Sequence, residues 1–165
     1  MITKNIVGIM ACIAVLFSCD KVAEVNYQEE DLIGVWQRTD VIPSGLSEAD
    51  FRYFDMELNY TFNSDGTYSY KVNFYGFKDE NPDEIIGQSE NLGTFEIKGD
   101  SLFIKDLQNT SWEKGFNPEP DTTYFENAAS YGSRFEVKED VLTLYYISYP
   151  ADAPVKTQMS YERVD

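Results

Sequence analysis

Residues 56–74 read MELNYTFNSDGTYSYKVNF. Large apolar side chains stand at every second position of residues 56–62 and again of residues 68–74, with polar residues between them. Such alternation is typical of β-strands that bury one face. The residues between the two runs favour a tight turn, in which Gly66 is free to take a positive φ. The stretch therefore predicts an antiparallel hairpin with one apolar face.

The same period of two recurs along the chain after residue 31 and predicts about eight strands. They are expected near residues 33–41, 54–62, 67–76, 92–98, 101–107, 133–138, 141–148 and 156–164. Because every strand has one apolar face, all of them must share one core, and closure of the sheet removes its exposed edges. The predicted fold class is all-β, an antiparallel up-and-down barrel of about eight strands. A sandwich of two sheets is the alternative.

A ten-residue pattern occurs twice, as FEIKGDSLFI at residues 95–104 and as FEVKEDVLTL at residues 135–144. Each copy has an aromatic anchor, a charged turn and an aliphatic second strand. The pattern therefore predicts that one kind of hairpin is used twice.

Two longer connections are predicted as loops, and loops of such length often carry function. Residues 77–91 include an acidic run that either holds Ca²⁺ or is simply solvated, and the solvated loop is favoured. Residues 108–122 bring Trp112 and Phe116 close to Tyr124. These aromatics form either an exposed platform for a sugar or protein, or a cover over the barrel mouth.

The first 18 residues have the organisation of a secretion signal. Lys4 precedes the apolar run IVGIMACIAVLF at residues 6–17, which is too short to span a bilayer and fits the hydrophobic region of a signal peptide. The run leads into LFSC at residues 16–19, which resembles the lipobox of bacterial lipoproteins. The resemblance implies cleavage before Cys19 and a lipid on its thiol. An ordinary signal peptide with an unrelated cysteine is the alternative.

Residues 19–31 are rich in acids and poor in large apolar side chains, which predicts a solvated tether. The predicted organisation is a lipoprotein signal peptide at residues 1–18, an acidic tether at 19–31 and a β-barrel domain at 32–165. The lipid would hold the protein on the outer membrane, on its periplasmic or cell-surface side.

Composition excludes several kinds of chemistry. The sequence has no His and two Cys, and Cys12 would leave with the signal peptide while Cys19 carries lipid. A catalytic triad with His, a zinc site and a disulfide are thus ruled out for the folded domain. The net charge of -16 argues against nucleic acid as a partner. We expect no cofactor, no metal and no enzymatic activity; a hydrolase with paired carboxylates is the least favoured alternative.

The sequence LIGVW at residues 32–36 resembles the Gly-x-Trp opening of lipocalins and of the lipocalin-like lipoproteins of Bacteroidetes. The resemblance implies that Trp36 plugs the closed end of the barrel. It also implies that an arginine near the end of the last strand packs on this tryptophan, and Arg163 stands at that place. The chain departs from secreted lipocalins in having neither a disulfide nor a clear C-terminal helix.

Two sets of residues are predicted to point into the barrel. Arg38 shares the face of Trp36 and Asp40, so it either meets an anionic group of a ligand or forms a local ion pair with Asp40. The other set consists of tyrosines, whose buried hydroxyls need hydrogen-bond partners. These side chains either line a half-polar cavity or bond to one another in a filled core: Tyr60, Tyr68, Tyr70, Tyr146 and Tyr161.

The function expected from these features is that of a lipid-anchored cell-envelope lipoprotein whose lipocalin-like barrel binds a small apolar or amphipathic ligand. The alternative is a non-enzymatic structural or accessory envelope lipoprotein whose loops bind a protein or glycan. An empty or a packed barrel interior would distinguish the two.

Overall fold

A computed structural model of the chain describes residues 27–43, 53–76, 81 and 83–164. The predicted signal peptide, Cys19 and the first part of the predicted tether lie outside these residues. Among the helices of the described residues, none is long and apolar enough to cross a membrane.

The described chain is almost entirely β-structure. One helical turn, α1 (Glu29–Leu32), precedes the strands, and a short 3-10 helix (Pro150–Asp152) lies before the last one. The strands are β1 (Gly34–Pro43), β2 (Tyr53–Phe62), β3 (Thr67–Tyr75), β4 (Ile85–Lys98), β5 (Ser101–Glu113), β6 (Asn117–Tyr124), β7 (Tyr131–Lys138), β8 (Val141–Ser148) and β9 (Val155–Val164).

Eight of the strands form a closed antiparallel barrel. Strands β1 to β5 follow one another as a meander, β5 continues to β7, and β7 to β9 complete the circuit, because β9 pairs with β1. The predicted all-β, up-and-down, lipocalin-like barrel is confirmed, and the two-sheet sandwich is not formed. The ninth strand, β6, pairs with β5 outside the circuit.

The barrel is closed at one end and diverges at the other. Strand β1 pairs with β9 only over Val35–Gln37, next to the first residue of β1. Strand β5 pairs with β7 only over Ser101–Ile104, and further along it pairs with β6 instead. We call the end where β1 begins the closed end and the opposite end the open end.

The core fills the closed end. Its largest fully buried side chains come from α1 and from the inner faces of β1, β2, β3, β5, β7, β8 and β9. They are Trp36, Tyr68, Tyr161, Phe62, Phe135, Leu32, Leu102 and Leu142. Burial of this much aromatic and aliphatic surface is the main favourable contribution to folding.

The two copies of the sequence repeat form equivalent hairpins at the closed end, β4–β5 and β7–β8. Their turns have the same backbone shape: Gly99 has a φ of 63°, and Glu139, at the matching position, has a φ of 53°. Phe95 and Phe135 are both buried as anchors. The repeat therefore encodes a structural unit of the core, as predicted.

A guanidinium group joins the two ends of the chain at the closed end. The Cζ atom of Arg163 lies 4.1 Å from the ring centre of Trp36. Its two terminal nitrogens donate to the backbone oxygens of Ile33 at 2.6 Å and Asp31 at 2.9 Å. The indole nitrogen of Trp36 donates to the oxygen of Leu32 at 2.8 Å. The contact expected between Trp36 and Arg163 is present.

Gly34 leaves the space beside the backbone that the guanidinium of Arg163 occupies. Its φ of +132° is one that side chains rarely permit, and a Cβ atom there would lie 2.7 Å from a terminal nitrogen of Arg163. Any larger residue would both strain the backbone and displace the guanidinium. The glycine of the Gly-x-Trp sequence thus has a steric role at the closed end.

The structure corrects three boundaries. The predicted loop at residues 108–122 is mostly strand, since β5 runs on to Glu113 and β6 returns beside it. The predicted loop at 77–91 ends early, because β4 begins at Ile85. The end of the predicted tether is folded, since the ring of Tyr27 lies 4.7 Å from that of Phe135 and α1 covers the closed end.

Strand β6 is predicted as a loop because its local sequence lacks the usual pattern of a β-strand. Its sequence NPEPDTTY lacks alternating apolar residues and contains two prolines, which lack the amide hydrogen that a ladder needs. An edge strand tolerates proline because one side of it has no partner. Pairing with the polar end of β5, including a contact of 2.9 Å between the hydroxyls of Thr110 and Thr122, holds it in place.

Replacing Arg163 with Met keeps an aliphatic side chain and removes the guanidinium. The carbonyls of Asp31 and Ile33 lose their charged donors and the indole loses its cation. We expect the free energy of unfolding to fall by about 2 to 4 kcal/mol.

Trp36→Ala should lower the free energy of unfolding by about 3 to 5 kcal/mol through lost burial and a cavity. Chemical denaturation followed by circular dichroism measures both changes.

The matched control is Lys156→Met, which removes one positive charge from an exposed position of the same strand. Surface substitutions of this kind usually change stability by less than about 0.5 kcal/mol. An Arg163→Met variant as stable as the Lys156→Met variant would contradict the role given to the guanidinium.

Candidate ligand-binding site in the barrel

The inner face of the barrel changes from apolar to polar between its two ends. Strand register identifies this face, because residues that pair directly across neighbouring strands lie on the same side of the sheet. In β5 an irregularity after Asp106 moves the inward positions to Asn109 and Ser111. Toward the open end the inward residues are largely polar or charged. They include Arg38, Asp40, Ser89, Asn91, Asp106, Asn109, Ser111 and Tyr146.

The predicted tyrosines all lie on the inner face, but at different depths. Tyr68 and Tyr161 are each only 2% exposed and belong to the core. Tyr60 is stacked on Tyr70, with ring centres 4.3 Å apart, and meets the edge of Tyr161 at 5.3 Å. Tyr60, Tyr70 and Tyr146 keep partial exposure. The tyrosines therefore form two layers: a packed floor with Tyr68 and Tyr161, and a partly open upper layer with Tyr60, Tyr70 and Tyr146.

Burial raises the pKa of the phenols of Tyr60 and Tyr161. Loss of hydration raises the pKa of Tyr60 well above its usual value, and the neighbouring Tyr161 and Tyr70 raise it further. The pKa of Tyr161 is also raised, first by burial and then by Tyr70, while Arg38 opposes the shift. The hydroxyls thus remain available as hydrogen-bond donors at neutral pH.

Arg38 faces the interior and also forms the expected ion pair. Its Nε lies 2.7 Å and one terminal nitrogen 2.6 Å from the same oxygen of Asp40. The hydrogen bond that Arg38 donates to Asp40 is the main reason that the pKa of Arg38 is raised, and Tyr161 and Tyr146 raise it further. The guanidinium charge is therefore already matched by a carboxylate.

A second charged group inside the barrel is Asp106, which the sequence analysis did not single out. The hydroxyl of Tyr68 donates to its Oδ1 atom. Tyr131, which pairs with Ile104 on the inner face, lies near enough for the charge of Asp106 to act on its phenol. Burial, followed by the charge of Asp106, raises the pKa of Tyr131 to about 12. We call these three residues the Asp106 cluster.

The Asp106 cluster depends on a gap in the wall of the barrel. Gly93 of β4 pairs with Tyr68 on one side and with Asp106 on the other. A Cβ atom at Gly93 would lie 2.8 Å from a ring carbon of Tyr68 and 2.0 Å from the oxygen of Lys105. The missing side chain lets the phenol of Tyr68 reach across β4 to the carboxylate.

One part of this cluster had a signal in the sequence. Asp106 continues the alternation of Leu102 and Ile104, so an acid at an inward position was visible there. The sequence contains no such signal for Tyr131, because β7 begins two residues before its predicted start and the preceding segment lacks alternation.

The β4–β5 hairpin supplies amides and hydroxyls near the open end. The side-chain nitrogen of Asn109 donates to the hydroxyl of Ser89 at 3.0 Å and to the side-chain oxygen of Asn91. These residues pair across the two strands with their side chains on the inner face. They form a polar rim above the aromatic layer.

The long connections give no metal site within the described residues. No group of three or more potential metal ligands occurs there, and Glu84 pairs with Lys114. The acidic run considered for Ca²⁺ also includes Asp83, which is exposed, and Asp79 and Glu80, which lie outside the described residues. Of the predicted aromatic platform, Phe116 is 86% exposed and Tyr124 is 71% exposed, whereas Trp112 is half-buried.

Comparison with models of known protein families finds no match for this chain. Comparison with curated proteins finds no match either.

Proposed function

We propose that the protein is a lipid-anchored binding protein of the cell envelope, without enzymatic activity, whose barrel takes up a small amphipathic molecule at its open end. The observation that carries the proposal is the change along the inner face, from a packed aromatic floor to a polar upper layer with charged groups. A pocket with apolar walls and a few placed polar groups suits a ligand that has both kinds of surface.

The apolar closed end of the barrel is already filled by side chains, which favours an amphipathic ligand over a fully apolar one. Trp36, Phe62 and Tyr68 are at most 2% exposed and fill the closed end, so a ligand would lie above them. At that level it would meet the rings of Tyr60 and Tyr70. Its polar group would face the hydroxyls and charges nearer the open end.

The strand pairing supports entry at the open end. Beyond Gln37, the described part of β1 is not paired with β9, and beyond Ile104 strand β5 is not paired with β7. The barrel wall is thus hydrogen-bonded all around only at the closed end, where α1 and Arg163 also lie.

The alternative, an accessory lipoprotein that binds a protein or glycan through its loops, is favoured by one observation. Phe116 lies in the turn between β5 and β6, and Tyr124 ends β6. Both are large aromatics and mostly exposed. Aromatic side chains of this kind are common in binding surfaces. Replacing both with Ser would abolish such binding but leave uptake into the barrel unchanged.

Uptake into the barrel is tested by filling it. Ser89→Trp places a large side chain on the inner face near the open end, whereas Leu92→Trp adds the same side chain at an exposed outer position of the same strand. We expect Ser89→Trp to weaken binding of the neutral probe N-phenyl-1-naphthylamine at least about tenfold because it occupies the ligand space. Fluorescence titration measures the affinity.

Leu92→Trp should leave the affinity for the probe unchanged. If the original chain does not bind the probe, or if both variants bind it equally well, the barrel interior is not the binding site and the accessory function becomes the better proposal.

The anchor is tested by a pair of cysteine substitutions. Cys19→Ser should remove lipid attachment, since Cys12 lies within the segment that signal cleavage removes, and Cys12→Ser should leave the lipid in place. Metabolic labelling with a palmitate analogue, followed by membrane fractionation, measures the result. Equal labelling of the two variants would contradict a lipid on Cys19.

A further inference from the structure

We propose that the ligand of the barrel carries a positively charged ammonium group, and that Asp106 is its partner. This inference rests on the proposed binding function and adds the sign of charge and chemical class of the ligand. It derives from a comparison of the two charged sites on the inner face.

At the first site, the positive charge of Arg38 is already neutralised by Asp40. Asp40 holds Arg38 through two contacts, at 2.6 and 2.7 Å, and each group neutralises the other. A carboxylate on a ligand would have to compete with Asp40 for the guanidinium. Charge-assisted hydrogen bonds of this kind are among the strongest in proteins, so the competition would cost affinity.

The second site has a carboxylate with no cation bonded to it among the described residues. The hydroxyl of Tyr68 donates a hydrogen bond to Asp106, and the phenol of Tyr131 lies nearby on the same inner face. Burial raises the pKa of both phenols, so both are neutral neighbours of the carboxylate. Within the described part of the chain, no Lys or Arg forms an ion pair with Asp106. Asp106 is therefore a carboxylate of the inner face that accepts a hydrogen bond from a neutral group and, in this part of the chain, has no cation as its partner.

The carboxylate has capacity for another donor. Its two oxygens accept about four hydrogen bonds in total, and Tyr68 uses one of them. Asp106 is only partly buried, so the remaining acceptor sites are open to a group that enters from the open end. An ammonium has three donors and a full charge, which matches this need.

Aromatic rings beside the carboxylate favour the same kind of ligand. The ring of Tyr68 carries the hydroxyl that bonds to Asp106. The next inward residue of β3 is Tyr70, which stacks on Tyr60 with ring centres 4.3 Å apart. A cation bound to Asp106 would thus meet the faces or edges of several phenol rings. Aromatic faces attract organic cations, most strongly where water is excluded.

The negative net charge of the whole chain also favours a cationic ligand. A net charge of -16 produces a negative potential that draws cations toward the protein and repels anions. An anionic amphiphile would have to overcome this field, the carboxylate of Asp106 and the existing partner of Arg38.

The sign of charge is tested with three probes that share one apolar body: 4-phenylbutylamine, 4-phenylbutanol and 4-phenylbutyrate. Isothermal titration calorimetry on the full chain at about 0.15 M salt reduces non-specific attraction to the acidic surface. We expect the amine to bind about tenfold or more tightly than the alcohol, and the carboxylate to bind least well. This ranking requires no variant.

Asp106→Asn keeps the size of the side chain and removes its charge. We expect it to weaken binding of the amine by about tenfold to a hundredfold and to leave binding of the alcohol nearly unchanged. Glu119→Gln removes one charge from the exposed strand β6 and should change neither affinity. Circular dichroism confirms that the variants keep the fold.

The outcomes separate the inference from the function on which it rests. Equal or tighter binding of 4-phenylbutyrate, or an Asp106→Asn variant that binds the amine as well as the original chain does, would overturn the ammonium site while leaving a barrel that binds ligands. Absence of binding by all three probes and by N-phenyl-1-naphthylamine would overturn both.

Discussion

The contact between the guanidinium of Arg163 and the indole of Trp36 is the constraint on which the rest of the barrel depends. It joins the last strand to the first, at the place where β9 and β1 pair. The same guanidinium bonds to the carbonyls of Asp31 and Ile33 at the end of α1, groups that a helix end leaves without partners. One side chain thus closes the barrel and holds its cover.

This closure at one end allows divergence at the other. The packed core and the paired seam between β1 and β9 lie together near Trp36, and the energy of burial is concentrated there. The opposite half of the inner face does not have to supply a continuous apolar core. It can therefore hold Arg38, Asp40 and Asp106, whose burial without partners would be costly.

Several polar groups of the inner face have partners within the barrel. Asp40 neutralises Arg38, the hydroxyl of Tyr68 bonds to Asp106, and the side chain of Asn109 donates to the hydroxyl of Ser89. Satisfied groups of this kind have fixed positions, which is what selective recognition requires. The two carboxylates differ in one respect: Asp40 faces a cation, and Asp106 faces neutral donors. The chemistry proposed for the ligand follows from this difference.

The sequence by itself determined which residues form most strands and which face each strand buries, because a period of two is a local property. Trp36, Arg163, the five tyrosines and the repeated hairpin were all found in this way or through a resemblance of short motifs. Only the tertiary structure decided that the sheet closes, that β6 adds to β5, and that Asp106 meets both Tyr68 and Tyr131. These features depend on pairing and register between distant segments, and on the missing side chain of Gly93, which local alternation does not encode.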